Sequence, residues 1–318
     1  MPPLEVFTLA GLGGLEESEG DPRPESYLQN KNTVIYRGRV AVRAPVFGIV
    51  NVVNSTGGDV DAILGMTVYL GKVYIAGYDD SLNEVNLVEV EFDGTGMIHR
   101  AVIWTSVTTQ PTAVIMQSFT AGTATSSEDR LYISDFDQTF RTRFWNGTVM
   151  TDLEIDFDLN ATAEDVHFSF IKEFAFHLWG VGFIQGTTTR PEYLRFSTPG
   201  AIPLTDIADG TDRDWHIADH LEIGRRGNPI IGLDVVNGRL LIYQQDAIHA
   251  ISGYSRDTWA VQTANPYIGA VGPFAFDTYA GKMAFFWSAT GPMMTDGTQV
   301  IDIGESIRKS VNEVPSDT

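Results

Sequence analysis

Asn237-Gly238-Arg239 leads into Leu240-Leu241-Ile242-Tyr243, and Ala280-Gly281-Lys282 leads into Met283-Ala284-Phe285-Phe286-Trp287; the two stretches read as one unit written twice. Each has a turn glycine and a cation, then an apolar strand, a polar break and a return strand. The first return ends at Ile251-Ser252-Gly253, and the second runs Pro292-Met293-Met294-Thr295-Asp296-Gly297. A turn glycine between runs rich in Val, Ile and aromatic residues marks a β-hairpin, because glycine takes the left-handed turn conformation at no steric cost. The two glycines lie 43 residues apart. A hairpin unit repeating at that period is the pattern of a radially repeated sheet protein, a β-propeller above all.

Working toward the N-terminus, three more units follow the same plan. One spans 62–93, with Leu70-Gly71-Lys72 opening Val73-Tyr74-Ile75-Ala76 and 86–92 returning as an alternating strand. Another spans about 101–153 and contains Arg130-Leu131-Tyr132-Ile133 and Thr142-Arg143-Phe144-Trp145. A third spans about 165–205, where 173–179 and 191–196 read as strands. Thr33-Val34-Ile35-Tyr36, Arg37-Gly38-Arg39 and Val40-Ala41-Val42 form a tight hairpin that adds a sixth blade or closes the first. The expected fold is therefore all-β, a propeller of five or six blades over 31–304. Residues 1–30, rich in Gly, Pro and Glu, read as an extended arm, since Pro and Gly oppose both helix and ladder. Residues 305–318 read as a C-terminal helix and tail, with Ile307, Val311 and Val314 on one face at helical spacing.

Composition narrows the function. The 318 residues carry 41 acidic and 21 basic side chains, a net charge of −20, and no cysteine. Thiolate metal sites and disulfides are excluded. So acidic a surface repels phosphate backbones and argues against a nucleic-acid reader, while leaving passage of DNA without adhesion possible. No apolar run of about 18 residues is present, so no membrane span is expected. Met-Pro-Pro-Leu-Glu at the N-terminus lacks the basic and apolar regions of a secretory signal.

Several clusters invite a chemical reading. In Thr151–Asn160 a period of two puts Asp152, Glu154, Asp156 and Asp158 on one strand face, which must then meet water, cations or a basic partner. Such a face suits a protected outer edge, a subunit interface or a channel wall. Asp206, Asp209, Asp212 and Asp214 around Gly210 are oxygen donors of the kind that hold Ca²⁺, but their spacing is not that of a calcium loop. His216 and His220 lack the glutamate of a His-Glu-x-x-His zinc helix. Asp61, Asp165, Asp234 and Asp277 precede or open inner strands, where turn formers are common; converging at the axis, they would resemble a glycosidase carboxylate set. Asn54-Ser55-Thr56, Asn146-Gly147-Thr148 and Asn160-Ala161-Thr162 match glycosylation sequons and read as polar turns. No phosphate loop, dinucleotide fingerprint or nucleophile elbow occurs, and no cofactor is expected.

Both ends of the chain resemble the β-propeller virion proteins of tailed bacteriophages, the tail nozzle or hub class. At the front the matching residues are Gly11-Leu12, Asp21-Pro22, Tyr27-Leu28-Gln29-Asn30, Asn32, Gly38-Arg39-Val40, Arg43 and Pro45; Ala44-Pro45-Val46 stands where that class has Arg-Pro-Gly. At the back they are Ile231-Gly232-Leu233, Gly238 to Tyr243, Ala247-Ile248-His249 and Gly253. The final blade is matched by Gly269 to Gly272, Phe285-Phe286-Trp287, Thr290-Gly291-Pro292, Thr295-Asp296-Gly297, Ile301-Asp302-Ile303 and Ile307-Arg308. The resemblance implies a non-enzymatic virion component, made in the host cytoplasm and assembled as a ring of copies around the tail axis. It would dock on adaptor or tail proteins and guide or retain the genome without touching a membrane. Two other readings compete: a carbohydrate-binding propeller at a receptor-binding tip, using Trp145, Trp179, Trp215, Trp259 or Trp287, and a five-bladed glycoside hydrolase.

Overall fold

Each of the five repeat units contributes the hairpin of a four-stranded antiparallel sheet. The computed structural model describes residues 33–36, 39–42, 60–92, 97–123, 126–155, 164–185, 188–197, 199–200, 215, 220–273 and 275–304. The chain divides into two units, residues 1–53 with 92–98, and residues 54–91 with 99–318. In the first, β1 (Thr33–Tyr36) pairs with β2 (Arg39–Val42) in a two-stranded sheet of their own. Among the described residues this hairpin pairs with no strand of the four-stranded sheets. The expected arm at 1–30 and the helix carrying Ile307, Val311 and Val314 lie outside the described residues.

The rest of the chain builds five such sheets in sequence order. Sheet one is β3 (Ala62–Tyr69), β4 (Lys72–Asp79), β5 (Glu84–Phe92) and β6 (Met97–Val107). Sheet two is β7 (Val114–Thr123), β8 (Ser126–Asp135), β9 (Arg143–Trp145) and β10 (Met150–Asp152). A small pair follows, β11 (Glu154–Ile155) with β12 (Glu164–Asp165). Sheet three is β13 (Phe170–Phe174), β14 (His177–Gln185), β15 (Thr188–Phe196) and β16 (His220–Glu222). Sheet four is β17 (Ile230–Val236), β18 (Arg239–Gln244), β19 (Ile248–Ser252) and β20 (Ala260–Asn265). Sheet five is β21 (Phe276–Tyr279), β22 (Met283–Ser288), β23 (Gly291–Thr295) and β24 (Val300–Asp302). The strand at 97–107 closes sheet one, whereas the repeat pattern assigned its residues from 101 onward to the second unit.

First strands contact one another in succession, β3 with β7, β7 with β13, β13 with β17 and β17 with β21. All five line one cavity of about 250 Å³. Four-stranded antiparallel sheets sharing their first strands around an axis make the arrangement β-propeller-like. Close approach at the axis explains two glycines at register shifts of the first strands. A Cβ on Gly65 would run into the Val114 carbonyl, and one on Gly232 into the Phe276 ring.

Faces of neighbouring sheets bury the apolar residues. Tyr74, Leu131 and Trp145 share one cluster, Phe144, Phe168 and Leu178 a second. Trp179, Leu194, Leu240 and Ile242 share a third, and Tyr243, Phe286 and Met293 a fourth. Sheet four is covered on both faces, so β17 and β18 are nearly continuous apolar runs rather than alternating ones. At about 1.5–3 kcal/mol per fully buried large apolar side chain, these clusters dominate the stability of the fold.

The turn from first to second strand is the same left-handed pair in four sheets. Its φ angles are 48° and 75° at Leu70-Gly71, 50° and 67° at Asn237-Gly238, and 51° and 65° at Ala280-Gly281. In sheet three the pair is Ala175-Phe176, with φ of 52° and 64°. Residues 173–179, read as one strand from sequence, therefore hold a hairpin turn. Left-handed φ costs a non-glycine residue about 1–2 kcal/mol, and Phe176 bears that cost while 78% exposed.

Candidate functional site

Two concave sites lie in the second unit, one on the axis and one at the end marked by the first-hairpin turns. On the axis, Met66, Gln117, Lys172, Asp234, Phe276 and Asp277 line the cavity of about 250 Å³, so every sheet contributes. Lys172 Nζ sits 3.3 Å from Asp234 Oδ1. The Thr278 hydroxyl donates to Asp234 Oδ2, and the Val235 amide donates to Oδ1 at 2.8 Å. Asp277 Oδ1 accepts from the Thr278 amide at 2.8 Å. The Phe276 ring stacks on Tyr243, 4.3 Å between centroids. Burial, with the nearby Asp234 charge, holds the Tyr243 phenol well above its ordinary value.

These contacts engage both acids that line the cavity. Of the four acids expected at the axis, Asp234 and Asp277 arrive. Asp61 instead accepts from the Asp80 amide at 2.8 Å in a turn, and Asp165 lies in β12 opposite Glu154. Asp234 is engaged by a lysine and by two hydrogen bonds.

The second site is a cleft of about 450 Å³ between the turn ends of sheets one, two and three. Val68 and Leu70 from the first turn and Phe176 from the third form apolar walls, 65%, 56% and 78% exposed. Phe119, Asp129 and Glu173 also line it. The Tyr69 hydroxyl donates to the Asp129 carbonyl at 2.5 Å, and the Thr120 hydroxyl donates to Asp129 Oδ1 at 2.6 Å. Burial, then Asp129 and other neighbours, push the Tyr69 phenol up to about 12. Burial also raises the Glu173 carboxyl, against the pull of Lys172. Sequence reasoning missed this site, because Phe176 reads as a strand residue and nothing like Asn-Gly marks its turn.

The acidic run has a different structure from the single ladder expected. Met150–Asp152 pairs with β9, while Glu154–Ile155 pairs with β12, and the break falls at Leu153. Leu153 is buried, and its amide donates to the Thr142 carbonyl at 2.8 Å. The alternation thus ends where the strand changes partner. Asp152 finds its cations within the chain, 3.3 Å from Arg141 and 2.7 Å from Arg143. Arg143 also lies over the Trp104 ring at 4.8 Å. Asp156 and Asp158 lie outside the described residues, as do Asp206, Asp209, Asp212, Asp214 and His216. His220 stacks on Tyr193 at 4.7 Å. Among the described residues no three His, Asp or Glu side chains gather as metal ligands. No helix among them is long and apolar enough to cross a membrane.

Most tryptophans named as sugar platforms serve the core. Trp145, Trp179 and Trp215 are buried. Trp259 is half-buried and packs on Trp179 and Phe196 at 4.8 and 4.2 Å. Trp287 remains exposed, with Tyr254 and Tyr267 elsewhere on the surface.

No protein-family model and no curated protein matches the chain. Among solved structures it is similar to a protein from Lactobacillus plantarum, with 11% identity, 77% of this chain and 71% of that one covered, and a TM-score of 0.40. It is also similar to the extracellular domain of a hybrid two-component system from B. thetaiotaomicron, with 11% identity, 75% and 39% covered, and a TM-score of 0.28. The chain spans well under half of that second protein's matched chain.

Proposed function

We propose that this chain is a structural protein of a phage tail, of the nozzle or hub class, built as a five-bladed β-propeller and assembled as a ring around the tail axis. The observation that carries the reading is the pair of C-terminal sheets. The segments resembling that class, 231–253 and 269–303, are sheets four and five, joined through the turns at Asn237 and Gly281. The Lys172–Asp234 ion pair and the Phe276 ring that line the axial cavity suit a building block more than a catalyst. In this reading the genome passes through the ring of copies and not through the propeller. The net charge of −20 suits a wall that DNA slides past without adhering. In this reading residues 1–30 and the segment carrying Ile307, Val311 and Val314 supply contacts to neighbouring copies and to adaptor or tail proteins.

Mass spectrometry of purified particles tests the assignment. The chain is expected in the particle at a fixed multiple of the copies in the tail ring. A soluble monomer absent from particles would overturn it.

A further inference from the structure

The copies of the proposed ring need a contact, and two features of the second unit are complementary in charge. One is the cleft just described, lined by Glu173 and Asp129 beside the exposed apolar walls of Val68, Leu70 and Phe176. The Glu173 carboxylate accepts no hydrogen bond among the described residues and stands in a partly dehydrated cleft. A cation entering there would gain more than one at an open surface. The other feature is the turn Gly224-Arg225-Arg226-Gly227 between β16 and β17. In a chain with twice as many acids as bases, these adjacent arginines are both exposed, and among the described residues neither is paired with a carboxylate.

The arginine turn is rigid. Gly224 and Gly227 take φ of 69° and 82°, and the Asn228 amide donates to the Arg225 carbonyl at 3.0 Å. From beneath, the buried Gln244 amide donates to the carbonyls of Ile223 and Asn228 at 3.2 and 2.9 Å. The Asn228 amide side chain donates to Asp246 at 2.6 Å. A pinned turn loses little entropy on binding.

Strand direction places the two features at opposite ends of the sheets. β3 and β13 run toward the cleft and end there, whereas β17 starts at the arginine turn and runs toward the first-hairpin turns. Two different surfaces meeting on successive copies make a head-to-tail contact, which closes into a ring when the rotation per copy allows it.

We infer that the Arg225-Arg226 turn of one copy docks in the Val68–Leu70–Phe176 cleft of the next, one guanidinium facing Glu173 and Asp129 and stacked on Phe176. Arginine suits such a pocket, since its planar fork meets a carboxylate bidentately and its face packs on an aromatic ring. The inference rests on the ring reading above and names its interface.

The test is sedimentation velocity on the full-length chain over a range of protein and salt concentrations. It compares the wild type with Arg225→Glu/Arg226→Glu, with Glu173→Arg, and with the three changes combined. Circular dichroism melts check folding, which these surface changes are expected to spare. The wild type should form oligomers that weaken as salt rises. Each reversal should weaken association about tenfold or more, and the combined variant should regain most of it. Oligomers unaffected by the reversals would overturn this docking and leave the ring standing. Loss in both reversals without recovery in the combined variant would overturn the pairing of these two sites. A monomeric wild type would overturn both the docking and the ring.

Discussion

Asn237 and Gly281 tie the fourth sheet to the fifth: the Asn237 amide donates to the Gly281 carbonyl at 2.8 Å, at matching turns of the two sheets. The Asn237 side chain extends the link, donating to the carbonyls of Lys282 at 2.9 Å and Asp296 at 3.2 Å. Arg239 adds a hydrogen bond to the Gly297 carbonyl at 3.2 Å. The Asn-Gly-Arg signature is therefore both a turn and a clasp between neighbouring sheets.

Asn237→Ala removes the clasp and places alanine at φ of 50°. A destabilisation of about 1–2 kcal/mol is expected, from two exposed hydrogen bonds and a left-handed residue less tolerant than asparagine. Asn237→Gly keeps the backbone conformation and should cost less. Urea unfolding of the three proteins measures both values, and an Asn237→Gly variant as stable as the wild type would show that the side-chain bonds contribute nothing.

Phe176→Gly acts in the opposite direction on stability. It relieves about 1–2 kcal/mol of left-handed strain, offset in part by the greater freedom of glycine in the unfolded chain. A net gain of about 0.5–1 kcal/mol is expected, because the ring is exposed and little burial is lost. A loss of stability in thermal melts would mean that the ring packs on the fold.

Lys172→Met leaves Asp234 unmatched on the axis. Asp234 is buried, while Lys172 is about a third exposed, so the cost is expected at about 1–2 kcal/mol, below that of a fully buried pair. Adding Asp234→Asn should recover part of it. A double-mutant cycle in urea gives the coupling; zero coupling would mean that solvent screens the pair.

Asp135 carries a pH signature. Oδ2 accepts from the Phe140 amide and the Thr139 hydroxyl, both at 2.9 Å. Burial nevertheless outweighs these bonds and raises the carboxyl above its ordinary value. A carboxyl with a raised folded value contributes fully below the unfolded value, at about pH 3.9, and loses that contribution as pH rises through the folded one. The stability of the wild type relative to Asp135→Asn should therefore fall as pH rises above about 4. A difference growing over that range would mean that the ionised form is the stabilised one.

Much of this architecture was legible in the chain because its signals are local. Gly71, Gly238 and Gly281 mark three first-hairpin turns by composition alone, and the five repeat units match the five sheets in order. What escaped depends on partners distant in sequence. Ala175-Phe176 makes the same turn without a turn residue, so only the sheet around it reveals it. Alternation through Leu153 persists on paper although the strand changes partner there, because a period of two says nothing about which strand lies alongside. Asp234 and Asp277 were legible as axial acids, but Lys172, one cation in Phe170–Phe174, gains its meaning only when β13 and β17 meet.

Cryo-electron microscopy of purified tail particles tests the central claim most directly. The expected density is a closed ring of copies around the tail axis, each a five-vaned disk with a filled centre, and the DNA path running between copies. A tail whose ring density does not accommodate this fold, or a chain found only as isolated molecules, would contradict it.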